Sequence, residues 1–244
     1  MEKVRATWYS PRLRQDVSVA RFGHYGAPLL LFPTAGGDAE ECERMLMIRA
    51  LRPLIDAGKL KVYSCDSIAG QAWIDKGLSA RHKAWVQNQF DGYVFNELLP
   101  AIRSDCRSPD IELYTAGASL GAFNALMSIC RHPEAFKTAI CMSGTFDLSG
   151  WMDGHHPVDF HHASPVHFLP YLADGPQLER LRQRFVILAC GEGRWETPRN
   201  SWGAAAALGR RGIPNRVDLW GQGHDHDWPT WREMLPKYLT EMLG

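Results

Sequence analysis

Long apolar runs are missing from this sequence. Residues 29–32 and 185–190 are short runs of four and six residues, whereas a helix that spans a bilayer needs roughly 18. We therefore expect no transmembrane segment and no membrane partner. Residues 1–5 also lack the apolar core that a signal peptide requires. Together these absences predict a cytoplasmic protein.

Paired cysteine motifs are missing too. None of the six cysteines forms a CxxC pair, the pattern typical of zinc ribbons and thioredoxin-like redox sites. Because several of them lie in apolar stretches, we interpret them as buried thiols in a reducing compartment. Five histidines cluster within a proline-containing stretch without a metal-ligand spacing, so we expect them to be solvated or to line a substrate site: His155, His156, His161, His162 and His167. No metal or cofactor is expected.

An excess of charge of one sign is the third absence. The 244 residues hold 27 basic and 27 acidic side chains, and this balance gives no support for nucleic-acid binding. Hydrophobic residues make up 45% of the chain and charged residues 22%, which argues against disorder. Neither an internal repeat nor a proline- or serine-rich linker divides the chain, so we expect a single domain over residues 1–244. The oligomeric state is left open.

Short apolar stretches alternate with longer helical patterns. Strands are predicted at residues 17–22, 29–32, 60–65, 111–116, 139–143, 185–190 and 216–219, and helices at 40–57, 86–102, 122–131, 199–211 and 231–242. The alternation predicts an α/β fold: a mostly parallel central sheet with helices on both faces. The first two strands are predicted to form a hairpin, which gives an antiparallel N-terminal edge. Residues of about 144–184 interrupt the alternation and are predicted to form a cap-like insertion.

The sharpest motif is the segment Gly117-Ala118-Ser119-Leu120-Gly121, between a predicted strand and a predicted helix. A nucleophile elbow requires this context, because its serine lies on a tight, strained turn where a Cβ at either flanking glycine would crowd it. The N-terminus of the following helix favours developing negative charge. Ser119 is therefore the predicted nucleophile. The alternative is a tight strand–helix turn without a catalytic role.

A serine nucleophile needs a base and an acid that orients the base, and in the elbow class they follow in the order serine, acid, histidine. After the last predicted strand come His224 and His226. We favour His226 because it lies nearer the start of the final helix. After the preceding strand come Glu192 and Glu196. We favour Glu196, which lies far enough beyond the strand to turn back toward the histidine, and Glu192 is the alternative.

An oxyanion hole needs two backbone N–H donors that point to one place. One is expected from Leu120, the residue after the nucleophile. The other is expected from the loop that follows residues 29–32, which reads Pro33-Thr34-Ala35-Gly36-Gly37. We favour Ala35 as the second donor, with Thr34 as the alternative.

These residues resemble a known family. The elbow, followed by Arg131-His132-Pro133 and then by Met142-Ser143-Gly144-Thr145-Phe146-Asp147, is similar to the putative-esterase branch of the α/β-hydrolases. That branch includes S-formylglutathione hydrolases, feruloyl esterases and mycolyltransferases, and the similarity spans roughly residues 15–242. The resemblance implies the α/β-hydrolase fold, with Ser119 as nucleophile and His226 as base, and supports Glu196 as acid. Many relatives carry a His-Gly step in the oxyanion loop, where this chain has Pro33-Thr34.

The function that we expect is hydrolysis of a small-molecule carboxylic ester through an acyl-enzyme intermediate. Two alternatives share the same residues. An acyltransferase would pass the acyl group to an acceptor other than water, and a non-catalytic hydrolase-like protein would bind a ligand at the same rim.

Overall fold

Eight strands form one sheet in the computed structural model, which describes residues 1–244. They are β1 (Lys3–Ser10), β2 (Gln15–Phe22), β3 (Ala27–Phe32), β4 (Leu60–Cys65), β5 (Leu113–Ala118), β6 (Phe136–Met142), β7 (Phe185–Cys190) and β8 (Asn215–Leu219). Their spatial order is β1-β2-β4-β3-β5-β6-β7-β8. The β1–β2 and β2–β4 pairs are antiparallel, and all the others are parallel. The predicted fold class, a mostly parallel sheet with an antiparallel N-terminal edge, is thus confirmed.

The strands that make this antiparallel edge differ from the prediction. We expected residues 17–22 and 29–32 to form a hairpin, and this is wrong: β2 pairs with β1 on one side and β4 on the other. Strand β3 lies between β4 and β5. The reason is that β3 is buried on both faces, which suits an interior parallel strand, whereas β1 is mostly exposed and suits the edge. Strand β1 was not predicted, and most of its side chains are exposed.

The helices are α1 (Glu41–Arg44), α2 (Met47–Asp56), α3 (Ile68–Ile74), α4 (Ala80–Tyr93), α5 (Leu99–Asp105), α6 (Leu120–Arg131), α7 (Val158–Ala163), α8 (Pro165–Phe168), α9 (Pro176–Leu181), α10 (Pro198–Gly209) and α11 (Trp228–Leu243). A wider π-helical segment, Val94–Leu98, joins α4 to α5. The predicted apolar stripe along residues 86–102 is buried over its whole length. The predicted helix at 40–57 is instead two helices, because the backbone of Leu46 between them is left-handed at φ +64°. Helix α3 was not predicted.

Helices cover both faces of the sheet, and the alternation within β3 shows how. Leu30 and Phe32 face the core made with α4, α5, α6 and α10. Leu29 and Leu31 face the opposite core, made with α2 and α11. Because both faces are dry, the polar functional groups of these parallel strands can reach substrate only beyond the strand ends.

The long connection from β6 to β7 holds α7, α8 and α9 and two short 3₁₀ segments, Ser149–Trp151 and Leu169–Tyr171. It packs on α4, where the Asn88 amide donates to the carbonyl of Asp159 at 2.8 Å. Phe160 and Met152 from this connection share a buried cluster with Leu120 and Phe123 of α6. The connection therefore lies against the helix that begins at the elbow.

Two further findings bear on the sequence expectations. All six cysteines are free thiols, and five of them are buried. None of the helices is long and apolar enough to cross a membrane.

Candidate active site

Ser119 lies on the turn that joins β5 to α6, and the turn is strained. Its backbone has φ +56° and ψ −121°, a region that non-glycine residues rarely adopt. A Cβ on Gly117 would lie 2.3 Å from the carbonyl carbon of Gly121, and a Cβ on Gly121 would lie 2.5 Å from the carbonyl oxygen of Pro33. Both glycines are therefore required by close backbone approach. The half-buried serine stands at the carboxyl edge of the sheet.

The loop that follows β3 lies directly beside the elbow. Thr34 donates both its N–H and its hydroxyl to the carboxylate of Glu41, each at 2.7 Å. The N–H of Thr34 is thereby occupied, whereas the N–H groups of Ala35 and Leu120 donate to no protein group. A Cβ on Gly70 of α3 would lie 2.6 Å from the Ala35 oxygen, so α3 supports this loop closely. Of the two sequence candidates, Ala35 is the one whose N–H is free for a ligand.

Glu196 and His226 come together at the same edge of the sheet. The Nδ1 atom of His226 lies 3.6 Å from Oε2 of Glu196, and the Glu196 side chain is only 1% exposed. The imidazole is one-quarter exposed, and its edge meets the ring of Trp231 at a centroid distance of 5.2 Å. Ser119 and His226 form no hydrogen bond in this structure. Such contacts often tighten only when substrate is bound.

The carboxylate of Glu196 has donors on both of its oxygens. Ser143 donates to Oε1 at 2.5 Å, and the thiol of Cys190 lies 3.3 Å from Oε2. Burial by itself raises the pKa of Glu196. The approach of His226 and the hydrogen bonds from Ser143 and Cys190 outweigh burial, and the pKa falls below its ordinary value. Glu196 is therefore ionised at neutral pH and can orient and stabilise an imidazolium.

The two alternative residues lie apart from this pair. The side chain of Glu192 makes no hydrogen bond or ion pair, although its N–H donates to the Gly221 carbonyl at 3.0 Å. His224 faces away, with Nε2 at 3.5 Å from Glu233 and its ring against Trp220. The structure thus places the favoured residues, and not the alternatives, in contact.

The loops that carry Glu196 and His226 are joined to each other. The carboxylate of Asp225 accepts from the N–H of Arg194 at 2.7 Å and from its Nε at 2.8 Å. The N–H of His226 donates to the Arg194 carbonyl at 3.0 Å. A Cβ on Gly191 would lie 2.0 Å from the His224 carbonyl oxygen, so only glycine permits this approach. The Arg194 guanidinium is thus paired with Asp225 and with neither Glu192 nor Glu196.

Sequence reasoning missed four residues that support the site: Glu41, Ser143, Cys190 and Trp231. Ser143 and Cys190 lie at the carboxyl ends of β6 and β7, and that position was a usable signal. Glu41 and Trp231 lie in the first turn of α1 and near the start of α11. Their spacing from Thr34 and Ser143 carries no motif, so only the coordinates reveal these contacts.

A cavity lies at the other end of the sheet. It has a volume of about 1170 Å³ and is lined by the amino ends of β3 and β4, with Arg21, Lys59, Lys61 and Asp105 among its residues. It contains none of the predicted site residues, so the chemistry points to the elbow rather than to this cavity. The five clustered histidines lie in the β6–β7 connection. No group of three or more His, Cys, Asp or Glu side chains in the chain is arranged to hold a metal.

Solved structures share this architecture along the whole chain. A ferulic acid esterase superposes with a TM-score of 0.74 at 17% identity, covering 99% of this chain and 98% of that one. An S-formylglutathione hydrolase from Agrobacterium tumefaciens gives a TM-score of 0.70 at 16% identity, with 99% and 95% covered. The enterobactin esterase of Shigella flexneri gives 0.69 at 19% identity, with 99% and 59% covered. At these identities the likeness establishes the fold.

The sequence itself identifies the family. Among curated proteins none matches the chain in sequence. The family model described as Putative esterase matches residues 70–241, a stretch that holds Ser119, Glu196 and His226 and covers more than two thirds of the chain. The chain therefore belongs to this esterase family, and it is a serine hydrolase with the α/β-hydrolase fold.

Proposed function

We propose that this esterase cleaves carboxylic esters with Ser119 as nucleophile, His226 as general base and Glu196 as the acid that orients the base. The observation that carries the proposal is the contact of buried Glu196 with His226 at the sheet edge where strained Ser119 stands. In this arrangement the Nδ1–H of the imidazole points to Glu196, which leaves Nε2 free to accept a proton.

The first half-reaction forms an acyl-enzyme. Ser119 Oγ attacks the ester carbonyl carbon while its proton passes to His226 Nε2. The carbonyl oxygen becomes an oxyanion, which accepts hydrogen bonds from the N–H groups of Leu120 and Ala35. As the bond to the leaving alkoxide breaks, His226 returns the proton and an alcohol departs.

The second half-reaction restores the enzyme. His226 takes a proton from water, and the resulting hydroxide attacks the acyl carbon of the Ser119 ester. Collapse of the second tetrahedral intermediate releases the carboxylic acid and returns the proton to Ser119. Glu196 remains ionised throughout and stabilises the imidazolium that forms in each half-reaction.

The surroundings of the site complete the proposal. We place residues 1–244 in a single domain, with the β6–β7 connection of about residues 144–184 acting as a cap over the rim. Support comes from its packing on Leu120 and Phe123 at the start of α6. The substrate is a small-molecule ester. The six free thiols are consistent with a reducing compartment, and the cytoplasm is the location that we propose.

The test is turnover of short-chain p-nitrophenyl esters together with labelling by a fluorophosphonate probe. The wild-type chain is expected to release p-nitrophenol and to carry the probe on Ser119. Ser119→Ala removes the nucleophile, so both signals should vanish while the melting temperature stays near that of the wild type. Ser128→Ala, which changes a buried serine of α6 nine residues beyond Ser119, is the matched control and should keep both signals. Full turnover by Ser119→Ala would overturn the assignment.

A further inference from the structure

Ser143 has an unusual backbone conformation at the carboxyl end of β6. Its φ is +47°, in the left-handed region that L-residues other than glycine rarely enter. Its N–H donates to the Ala189 carbonyl at 2.7 Å, which extends the pairing of β6 with β7 beyond the strand end. Strain of this kind persists only where surrounding contacts enforce it. At Ser143 the contacts are this backbone bond and two hydrogen bonds of the hydroxyl.

The chemistry of the two partners fixes the direction of both hydrogen bonds. The indole Nε1 of Trp231 lies 2.9 Å from Ser143 Oγ, and an indole N–H can only donate. Ser143 therefore accepts from Trp231 and gives its single proton to Oε1 of Glu196, at 2.5 Å. The chain of donors runs from Trp231 through Ser143 to the carboxylate.

This arrangement requires an acceptor at Glu196. Ser143 faces one carboxylate oxygen, and Cys190 and His226 face the other. A proton on either oxygen of Glu196 would meet a donor, so the contacts favour the ionised form. The ring of Trp231 also meets the imidazole of His226 nearly edge-on, at an interplanar angle of 84°. The indole of Trp231 therefore contacts both Ser143, which bonds to Glu196, and His226.

We propose that Ser143 and Trp231 are positioning residues, which hold Glu196 charged and directed at Nδ1 of His226. The inference rests on the proposed function and adds two residues outside the triad. Neither residue touches the reacting atoms, and both act through the acid–base pair.

Three variants test the proposal. Ser143→Ala removes the hydroxyl, Ser143→Gly removes it and also relieves the positive φ, and Trp231→Phe keeps a ring but loses the N–H donor. We expect kcat for a short-chain p-nitrophenyl ester to fall about 10- to 100-fold with KM within about twofold, the loss found when outer-shell partners are removed from metal-ligating side chains. Ser64→Ala is the control: it removes a fully buried hydroxyl on a different strand, β4, and its kcat should stay within twofold of the wild type.

A double variant separates positioning from general structural support. If Ser143 acts through Glu196, then adding Ser143→Ala to Glu196→Gln should cost almost nothing further, whereas independent effects would multiply. Multiplying losses would overturn the proposal. The proposal is also overturned if all three single variants keep kcat within twofold of the wild type while Ser119→Ala and His226→Ala are inactive. Should Ser143→Ala fail to melt cooperatively, Ser143→Gly and Trp231→Phe decide the question. Full turnover by Ser119→Ala would instead refute the proposed function itself.

Discussion

Replacing Glu196 with glutamine removes one charge from the site and almost no volume. The side chain is 1% exposed and fills a space bounded by Ser143, Cys190 and His226. Because glutamine has nearly the same shape, the chain is expected to fold and to melt within a few degrees of the wild type. Any loss of activity then reports on charge and hydrogen bonding.

The amide has two possible orientations, and both are worse than the carboxylate. With its NH₂ toward His226, donor faces donor, and the imidazole is driven to the wrong tautomer, a change that lowers kcat about 10⁴-fold in a serine protease. With its oxygen toward His226, the NH₂ faces Ser143, whose own proton then loses its acceptor. The tautomer is kept but the negative charge is lost, which reduces a charge-assisted bond to a neutral one. We therefore expect kcat to fall between about 10²- and 10⁴-fold, or ~3 to ~5 kcal/mol of barrier.

Steady-state hydrolysis of a short-chain p-nitrophenyl ester measures this loss, with KM expected within about threefold of the wild type. Glu192→Gln is the matched control, because the side chain of Glu192 makes no hydrogen bond or ion pair, and its kcat should be unchanged. The reasoning fails if Glu196→Gln keeps more than a tenth of the wild-type kcat. It also fails if Glu192→Gln loses as much, since the alternative acid would then be the right one.

Three further predictions follow from the site and its supports. Gly117→Ala places a Cβ 2.3 Å from backbone atoms and should lower the free energy of unfolding in urea by about 1–3 kcal/mol, whereas Gly203→Ala, in open space on α10, should be neutral or stabilising. Glu41→Ala removes the acceptor of the Thr34 N–H and hydroxyl, so the loop that carries Ala35 should become less ordered. We expect kcat to fall about tenfold, the rise in barrier that the loss of one hydrogen bond gives. An unchanged kcat would exclude Glu41 as a support of this loop. Because the folded chain holds the pKa of Glu196 below its ordinary value, ionised Glu196 stabilises the fold above that ordinary value and the contribution is lost as the pH falls through the lowered pKa. The difference in melting temperature between the wild type and Glu196→Gln should therefore shrink on acidification, and a difference that is constant with pH would contradict the assigned shift.

The strands and helices that could be predicted are those with strong local signals. Strands Leu60–Cys65 and Phe185–Cys190 begin and end as predicted. Phe185–Cys190 is a continuous apolar run, as expected of a strand buried on both faces. The amphipathic stripe from Val86 to Ile102 is buried as expected. Edge strand β1 was missed because its side chains are mostly exposed. Val4, Ala6 and Trp8 do alternate with polar residues in β1, but the strand lacks a buried apolar run, and its pairing with β2 defines it.

The candidate site divides in the same way. The elbow could be predicted because a strained turn leaves a local trace in the two glycines around Ser119. Because the elbow class orders its residues as serine, acid and histidine, the sequence left two candidates for the acid and two for the base. The choice within each pair depends on where a loop turns after its strand, which the residues themselves do not encode locally. In the structure Glu196 lies beside His226, whereas His224 lies beside Glu233, and this arrangement supports the proposed pair.

By itself, then, the sequence determined the α/β architecture, and it predicted the elbow serine and the strand ends that carry its proposed partners, because these depend on short-range steric and hydrophobic patterns. Only the tertiary structure decided that β3 lies between β4 and β5, that Ala35 rather than Thr34 has a free N–H, and that Ser143 bonds to both Glu196 and Trp231. The Ser143–Glu196 and Trp231–Ser143 hydrogen bonds join residues that are 53 and 88 positions apart. They form because the sheet brings the carboxyl ends of its parallel strands to one edge, and no local pattern in the chain records which side chains meet there.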